Sequence, residues 1–150
     1  MNWFDVVDAL MCALVVIVLF KFWKRFIHKP VVWYLDDSES DRMMFRMRMR
    51  PKGCYVEEFA CPKDMIDEYI KSTTLFRRPS CVVVDYVLGS GPTGGDVLTF
   101  LRKNGVKCKI VTGYEGPIKG VAESDIIHKS PYDSYFREVE DWINHATGRA

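Results

Sequence analysis

Hydrophobic positions along this chain fall into one long run and several short ones. Residues 9–20 are apolar without interruption, and the apolar character extends back to Trp3 except at Asp5 and Asp8. The 18 residues from 3 to 20 would form a helix roughly 27 Å long, close to the hydrocarbon thickness of a bilayer. A core helix would show a polar face, and residues 9–20 have none. The pattern therefore predicts one transmembrane helix over residues 3–20.

The short runs predict something different. Residues 31–35, 55–59, 81–84, 109–111 and 126–127 are segments of strand length, apolar or β-branched except at Glu57, Glu58 and Lys109. Between them lie helix signals: Ser38 as an N-cap for a helix to about Arg50, stopped by Pro51 and Gly53; Pro62 opening a helix to about Lys71; a helix from Asp96 to about Lys103 after the glycine-rich loop 89–95; and a last helix from Tyr132 to about His145. Strands that are nearly continuously apolar and alternate with helices imply a parallel sheet covered on both faces. Pro30 ends any helix continuing from the first segment, so the chain divides into an anchor over residues 1–29 and an α/β domain over residues 30–150.

Charge orients the first segment. Asp5 and Asp8 precede the span, while Lys21, Lys24, Arg25 and Lys29 follow it, interleaved with Phe22, Trp23 and Phe26. A cleaved signal peptide has the opposite order. The positive-inside bias places the basic flank in the cytosol and the aromatics at the interface. The expectation is a single-pass protein of the inner, cytoplasmic membrane, with its N-terminus outside and the α/β domain in the cytosol. The whole chain carries a net charge of +1, so no overall basic field points to nucleic acid as a partner. The basic face formed by Arg42, Arg46 and Arg50 is expected to be solvated or to face lipid. Five cysteines, Cys12, Cys54, Cys61, Cys81 and Cys108, stand singly with no metal-binding spacing; Cys81 and Cys108, in or beside strands, read as small hydrophobes. With 150 residues, the chain is expected to act without an attached effector domain.

In a doubly wound sheet, ligands bind at the carboxyl ends of the strands. Asp36 and Asp37 end the first predicted strand, Asp85 the third and Thr112 the fourth, and Lys129 follows the fifth. Asp36 and Asp37 alone could simply cap a helix. With Asp85 they make three carboxylates on one edge, which repel unless a hard cation such as Mg2+ lies among them. A phosphoryl group placed there would find a counter-charge in Lys129 and a hydroxyl in Thr112.

The order of these pieces resembles the response-regulator receiver family over residues 31 to near 150. The match consists of residues 31–37 with the acidic pair, the block 85–94, Thr112-Gly113, and residues 126–129. The resemblance implies a flavodoxin-like five-stranded parallel sheet of order 2-1-3-4-5. It implies Asp85 as phosphoacceptor; Asp36, Asp37, Asp85 and the Val87 carbonyl as Mg2+ ligands; Thr112 as switch hydroxyl; and Lys129 as the phosphoryl-binding cation. The implied partners are a histidine kinase or phosphotransfer protein and a downstream protein. Three features depart from the family pattern: Ser130 stands between Lys129 and Pro131, Ile126 replaces a frequent aromatic, and the segment between Thr112 and Lys129 leaves little room for a fourth helix. Two other readings remain. One is a pseudo-receiver that binds partners without phosphorylation; the other is a dinucleotide site at Gly89, Gly91 and Gly94, a G-x-G-x-x-G with Glu115 about twenty residues on.

Overall fold

The computed structural model describes residues 11, 13–19, 29–72, 78–89, 91–130 and 134–149. Five strands form one parallel sheet: β1 (Val31–Leu35), β2 (Tyr55–Phe59), β3 (Cys81–Asp85), β4 (Cys108–Thr112) and β5 (Ile126–His128), in the order β2-β1-β3-β4-β5. The helices between and after them are α1 (Glu39–Met49), α2 (Pro62–Lys71), α3 (Gly94–Lys103) and α4 (Ser134–Thr147). This is the architecture and strand order expected from the sequence.

Side chains alternate across the strands and feed two cores. Val32, Tyr34, Val83, Val111 and Ile127 pack with Phe45 and Met49 of α1 and Phe136, Val139 and Ile143 of α4. On the opposite face Trp33, Leu35, Val82, Val84 and Ile110 meet Met65 of α2 and Val97, Leu98 and Leu101 of α3. β3 is buried along its whole length, and each of its valines stabilises the fold by about 1.5–3 kcal/mol relative to an exposed side chain. Burial pushes the Cys81 thiol up to about 12, so this cysteine behaves as a hydrophobe, as its place in the pattern suggested.

Ser38 caps α1, its side chain accepting the Asp41 N–H, and Pro62 opens α2. α3 begins two residues earlier than Asp96, because Thr93 is its N-cap. The Thr93 hydroxyl accepts the Asp96 N–H while the Asp96 carboxylate accepts the Thr93 N–H, a reciprocal cap that places two glycines in the first turn. Arg42 and Arg46 are not a free basic face. Arg42 donates to the Asp36 carbonyl at 2.7 Å, and Arg46 pairs with Glu58 at 2.5 Å.

Between β4 and β5 the chain forms only a 3-10 turn, Glu123–Asp125. The apolar edge that a helix would cover there is instead closed by Ile118, with Val121 beside it. The expected start of the last helix at Tyr132 lies outside the described residues. Most of the predicted span and its basic flank lie outside them too. Residues 13–19 are helical and all exposed; among the described residues no helix is long and apolar enough to cross a membrane.

Candidate functional site

Polar groups rarely enter a core unless something holds them there. Among the described residues the buried polar ones are Asp36, Ser72, Asp85 and Thr112, and all but Ser72 stand at the carboxyl edge of the sheet. The register explains their meeting. Leu35 pairs with Val84 one residue before Asp36 and Asp85, Asp85 pairs with Val111, and Thr112 pairs with His128. Parallel strands in register thus deliver Asp36, Asp85, Thr112 and Lys129 to one edge.

Lys129 ties the site together. Its Nζ lies 3.0 Å from Asp36 Oδ2, 3.0 Å from Asp85 Oδ1 and 3.0 Å from Asp41 Oδ2. Its backbone N–H donates to the Thr112 carbonyl at 2.8 Å, so the residue is held at both ends despite Ser130 following it. Asp36 accepts from three donors: the Ser38 N–H reaches Oδ1 at 2.9 Å, and the Tyr34 hydroxyl reaches Oδ2 at 2.7 Å alongside Lys129. Asp37 is exposed and accepts the Gly89 N–H at 2.9 Å. Thr112 Oγ1 accepts the Tyr114 N–H at 3.1 Å, which leaves its O–H to donate. Val87 contributes its N–H, which hydrogen-bonds the Asp85 carboxylate.

The electrostatics follow from burial and neighbours. Desolvation raises the Asp85 pKa, and the contacts with Lys129 oppose that rise without cancelling it. For Lys129, burial favours the neutral amine, but the hydrogen bond to Asp85 and the charges of Asp85 and Asp36 outweigh it, and its pKa is raised. Lys129 therefore remains an ammonium at neutral pH. A carboxyl whose folded-state pKa is raised favours folding at low pH and loses that contribution as the pH rises through its folded pKa. Asp85→Asn should accordingly stabilise the protein at neutral pH, seen as a higher melting temperature. Lys129 keeps Asp36 and Asp41 in that variant. Thermal unfolding of the variant at acidic and neutral pH checks this: the gain should shrink at acidic pH.

Four carboxylates, Asp36, Asp37, Asp41 and Asp85, gather here with two cations, Lys129 and Arg42. The donor set is entirely oxygen and carries surplus negative charge, which fits a hard divalent cation. As the side chains stand, no group of three among the described residues is disposed to hold a metal ion. The physical reason is visible: the Lys129 ammonium lies between Asp36 and Asp85, and Asp37 is drawn to Gly89.

Tyr34 and Asp41 were not singled out from sequence, and Arg42 was read only as part of a basic face. Tyr34 stands two positions before Asp36 in an extended segment, a period that puts both on one face; it also stacks on Phe45 with ring centroids 4.0 Å apart. Burial, and then the charge of Asp36, raises its phenol pKa, so it remains a donor. Asp41 and Arg42 lie in the first turns of α1, close enough to reach back over the strand end. Tyr34→Phe keeps the stacking and removes one hydrogen bond to a charged acceptor, so it should cost about 1.5–3 kcal/mol in urea unfolding. A neutral result would mean that Ser38 and Lys129 alone satisfy Asp36.

The glycines of the G-x-G-x-x-G have local explanations. Gly89 approaches Asp37, Gly91 has φ 93°, and a Cβ on Gly94 would lie 2.2 Å from the Asp85 carbonyl oxygen. The last of these fixes how closely α3 approaches the end of β3.

No family model matches the chain, and no curated protein matches its sequence. Solved structures do match its fold. The receiver domain of the Francisella response regulator 1452 is 18% identical with a TM-score of 0.63, covering 81% of this chain and 98% of that one. The response regulator TrrA of Thermotoga maritima, solved in complex with Mg(2+)-BeF, is 15% identical with a TM-score of 0.60, covering 76% and 98%. The signal receiver domain of a Luxo repressor protein from Vibrio parahaemolyticus is 22% identical with a TM-score of 0.62, covering 79% and 93%. The chain is similar in fold to response-regulator receiver domains.

Proposed function

We propose that this chain is a phosphoacceptor receiver of a two-component relay, phosphorylated on Asp85 and tethered to the cytoplasmic membrane. The observation that carries the reading is the single ammonium of Lys129 held 3.0 Å from both Asp36 and Asp85 at the carboxyl edge. A carboxylate oxygen of Asp85 attacks the phosphorus of a phosphodonor, the bond from phosphorus to the donor atom breaks, and the donor leaves with that electron pair. The product is an acyl phosphate on Asp85. Water later attacks the same phosphorus and releases inorganic phosphate, regenerating the carboxylate.

Lys129 leaves the Asp85 carboxylate for an oxygen of the incoming phosphoryl group and offsets its charge. The free O–H of Thr112 donates to another of those oxygens. Asp36, Asp37, Asp85 and the Val87 carbonyl would hold Mg2+, which when bound screens the carboxylates from the phosphoryl oxygens. The added charge of about −1.5 to −2 biases the loop after Thr112 between two arrangements. The donor is a histidine kinase, a phosphotransfer protein or a small acyl phosphate, and a further protein reads the phosphorylated state.

The tether rests on the 18 residues from 3 to 20 and on helical residues 13–19, whose apolar side chains are exposed, Leu14 and Leu19 at 61% each. The ion pair of Lys129 with Asp41 favours a second reading, a pseudo-receiver with its lysine locked. Incubation with acetyl phosphate and Mg2+ separates the two. The first reading expects one phosphoryl group by intact mass, absent in Asp85→Asn; the second expects none in either.

A further inference from the structure

The two edges of the sheet carry opposite charge. The carboxyl edge holds the acidic cluster already described. The amino edge carries Lys29, Arg50, Arg78, Lys103, Lys107 and Arg149, none with a carboxylate partner among the described residues. Backbone bonds place them together: the Tyr55 N–H meets the Pro30 carbonyl, the Ser80 N–H meets the Val31 carbonyl, and the Val82 N–H meets the Lys107 carbonyl. Lys107 Nζ donates to the Ala146 carbonyl at 2.6 Å, and Arg149 donates to the Lys52 carbonyl at 3.1 Å. Two nearby carboxylates are already paired, Glu140 by Lys52 and Asp125 by Arg102, and Glu123 is hydrogen-bonded to His128.

Helix dipoles explain part of this pattern. Arg50, Lys103 and Arg149 stand at or just past helix C-termini, where cations are favoured. Arg78 and Lys107 lie in the loops that enter β3 and β4 but reach helix ends with their side chains, donating to the Ser72 carbonyl at the end of α2 at 3.3 Å and to the Ala146 carbonyl in the last turn of α4 at 2.6 Å; Lys29, in the segment that enters β1, has no such explanation. The chain also enters β1 at this edge, ten residues after the apolar run ends at Phe20.

We propose that the amino edge of the sheet is a docking surface for the headgroups of anionic lipids, holding the domain against the membrane with its acidic edge facing the cytosol. The proposal deepens the membrane reading and rests on it. An anionic leaflet attracts a basic face within about 8–10 Å and repels an acidic one, so both edges favour the same orientation. Five residues of β1 at about 3.3 Å each then raise Asp36 roughly 16 Å above Val31. Asp85 is left open to a kinase.

Lysine acylation footprinting tests this on the full chain, reconstituted in vesicles of phosphatidylcholine alone and of phosphatidylcholine mixed with phosphatidylglycerol. Lys29, Lys103 and Lys107 should be acylated roughly three-fold or more slowly in the anionic vesicles than in the neutral ones, and high salt should remove the difference. Lys63 and Lys119, toward the carboxyl edge, should be unchanged. Equal acylation at both edges in both vesicles would overturn the proposal, as would protection that is the same with neutral lipid. Co-sedimentation with the neutral vesicles reports the anchor separately: release there by alkaline wash would refute the span even if the anionic vesicles gave protection.

Discussion

Lys129→Met should lower stability at neutral pH by about 3–5 kcal/mol, the usual cost of removing one partner from a buried charge pair. In the wild type one ammonium serves Asp36, Asp41 and Asp85 at 3.0 Å each, and Asp36 is almost fully buried. Without it these carboxylates repel one another, left with the Tyr34 hydroxyl and Ser38 N–H on Asp36 and the Val87 N–H on Asp85. The sign with pH follows. Losing the cation removes the contacts that oppose the rise in the Asp85 pKa, so the variant regains stability relative to wild type as the pH falls and that carboxylate is protonated. In the wild type the raised Lys129 pKa means that its contribution is present below the lysine range and lost as the pH rises through it. Millimolar Mg2+ should rescue the variant more than the wild type, because it replaces the missing charge without competing with an ammonium. Urea unfolding across pH, with and without Mg2+, reads all of this. A variant as stable as wild type at neutral pH would show that the three carboxylates do not depend on Lys129.

Gly94→Ala should be the most damaging of the conservative changes, costing about 3 kcal/mol or more. Its Cβ would fall 2.2 Å from the Asp85 carbonyl oxygen and 2.8 Å from Tyr86 Cα, both backbone atoms. Relief requires α3 to shift away from β3, which also breaks the bond from the Gly94 N–H to the Tyr86 carbonyl. Gly105→Ala offers a comparison: its Cβ would meet nothing within 4 Å, but its φ is +74°. That cost is conformational only, about 1 kcal/mol. Denaturation midpoints of the two variants should therefore differ clearly, and similar midpoints would show that α3 yields easily.

Much of this was legible in the residues alone because the fold rests on period and placement. Strands 31–35 and 81–84 are apolar throughout because both faces of the sheet are covered, and a charged residue directly after such a run must lie at an edge. Asp36 and Asp85 were visible for that reason, and Thr112 and Lys129 because they stand at the ends of the next two apolar runs. What sequence spacing does not carry is reach. Asp41 looks like a dipole-favoured acid in the first turn of a helix, and only the folded path of β5 brings Lys129 to it. Tyr34 looks like an ordinary core aromatic, and its hydroxyl matters because Asp36 lies on the same face. Arg42 and Arg46 read as a solvated face because helical spacing shows which residues align, not which carbonyl or carboxylate lies beside them. The start of α3 was placed late because glycine argues against helix, whereas the Thr93–Asp96 cap and the lack of room beside Asp85 require it there.

The central claim concerns one atom group, the Asp85 carboxylate. An acyl phosphate is reduced by borohydride to an alcohol, so a phosphorylated aspartate is converted to homoserine while free carboxylates are untouched. After incubation of the full chain with acetyl phosphate and Mg2+, peptide mapping should find homoserine at position 85 alone, and none when the metal is chelated beforehand. Homoserine at Asp36, Asp37 or Asp41, or no conversion with Mg2+ present, would contradict the account.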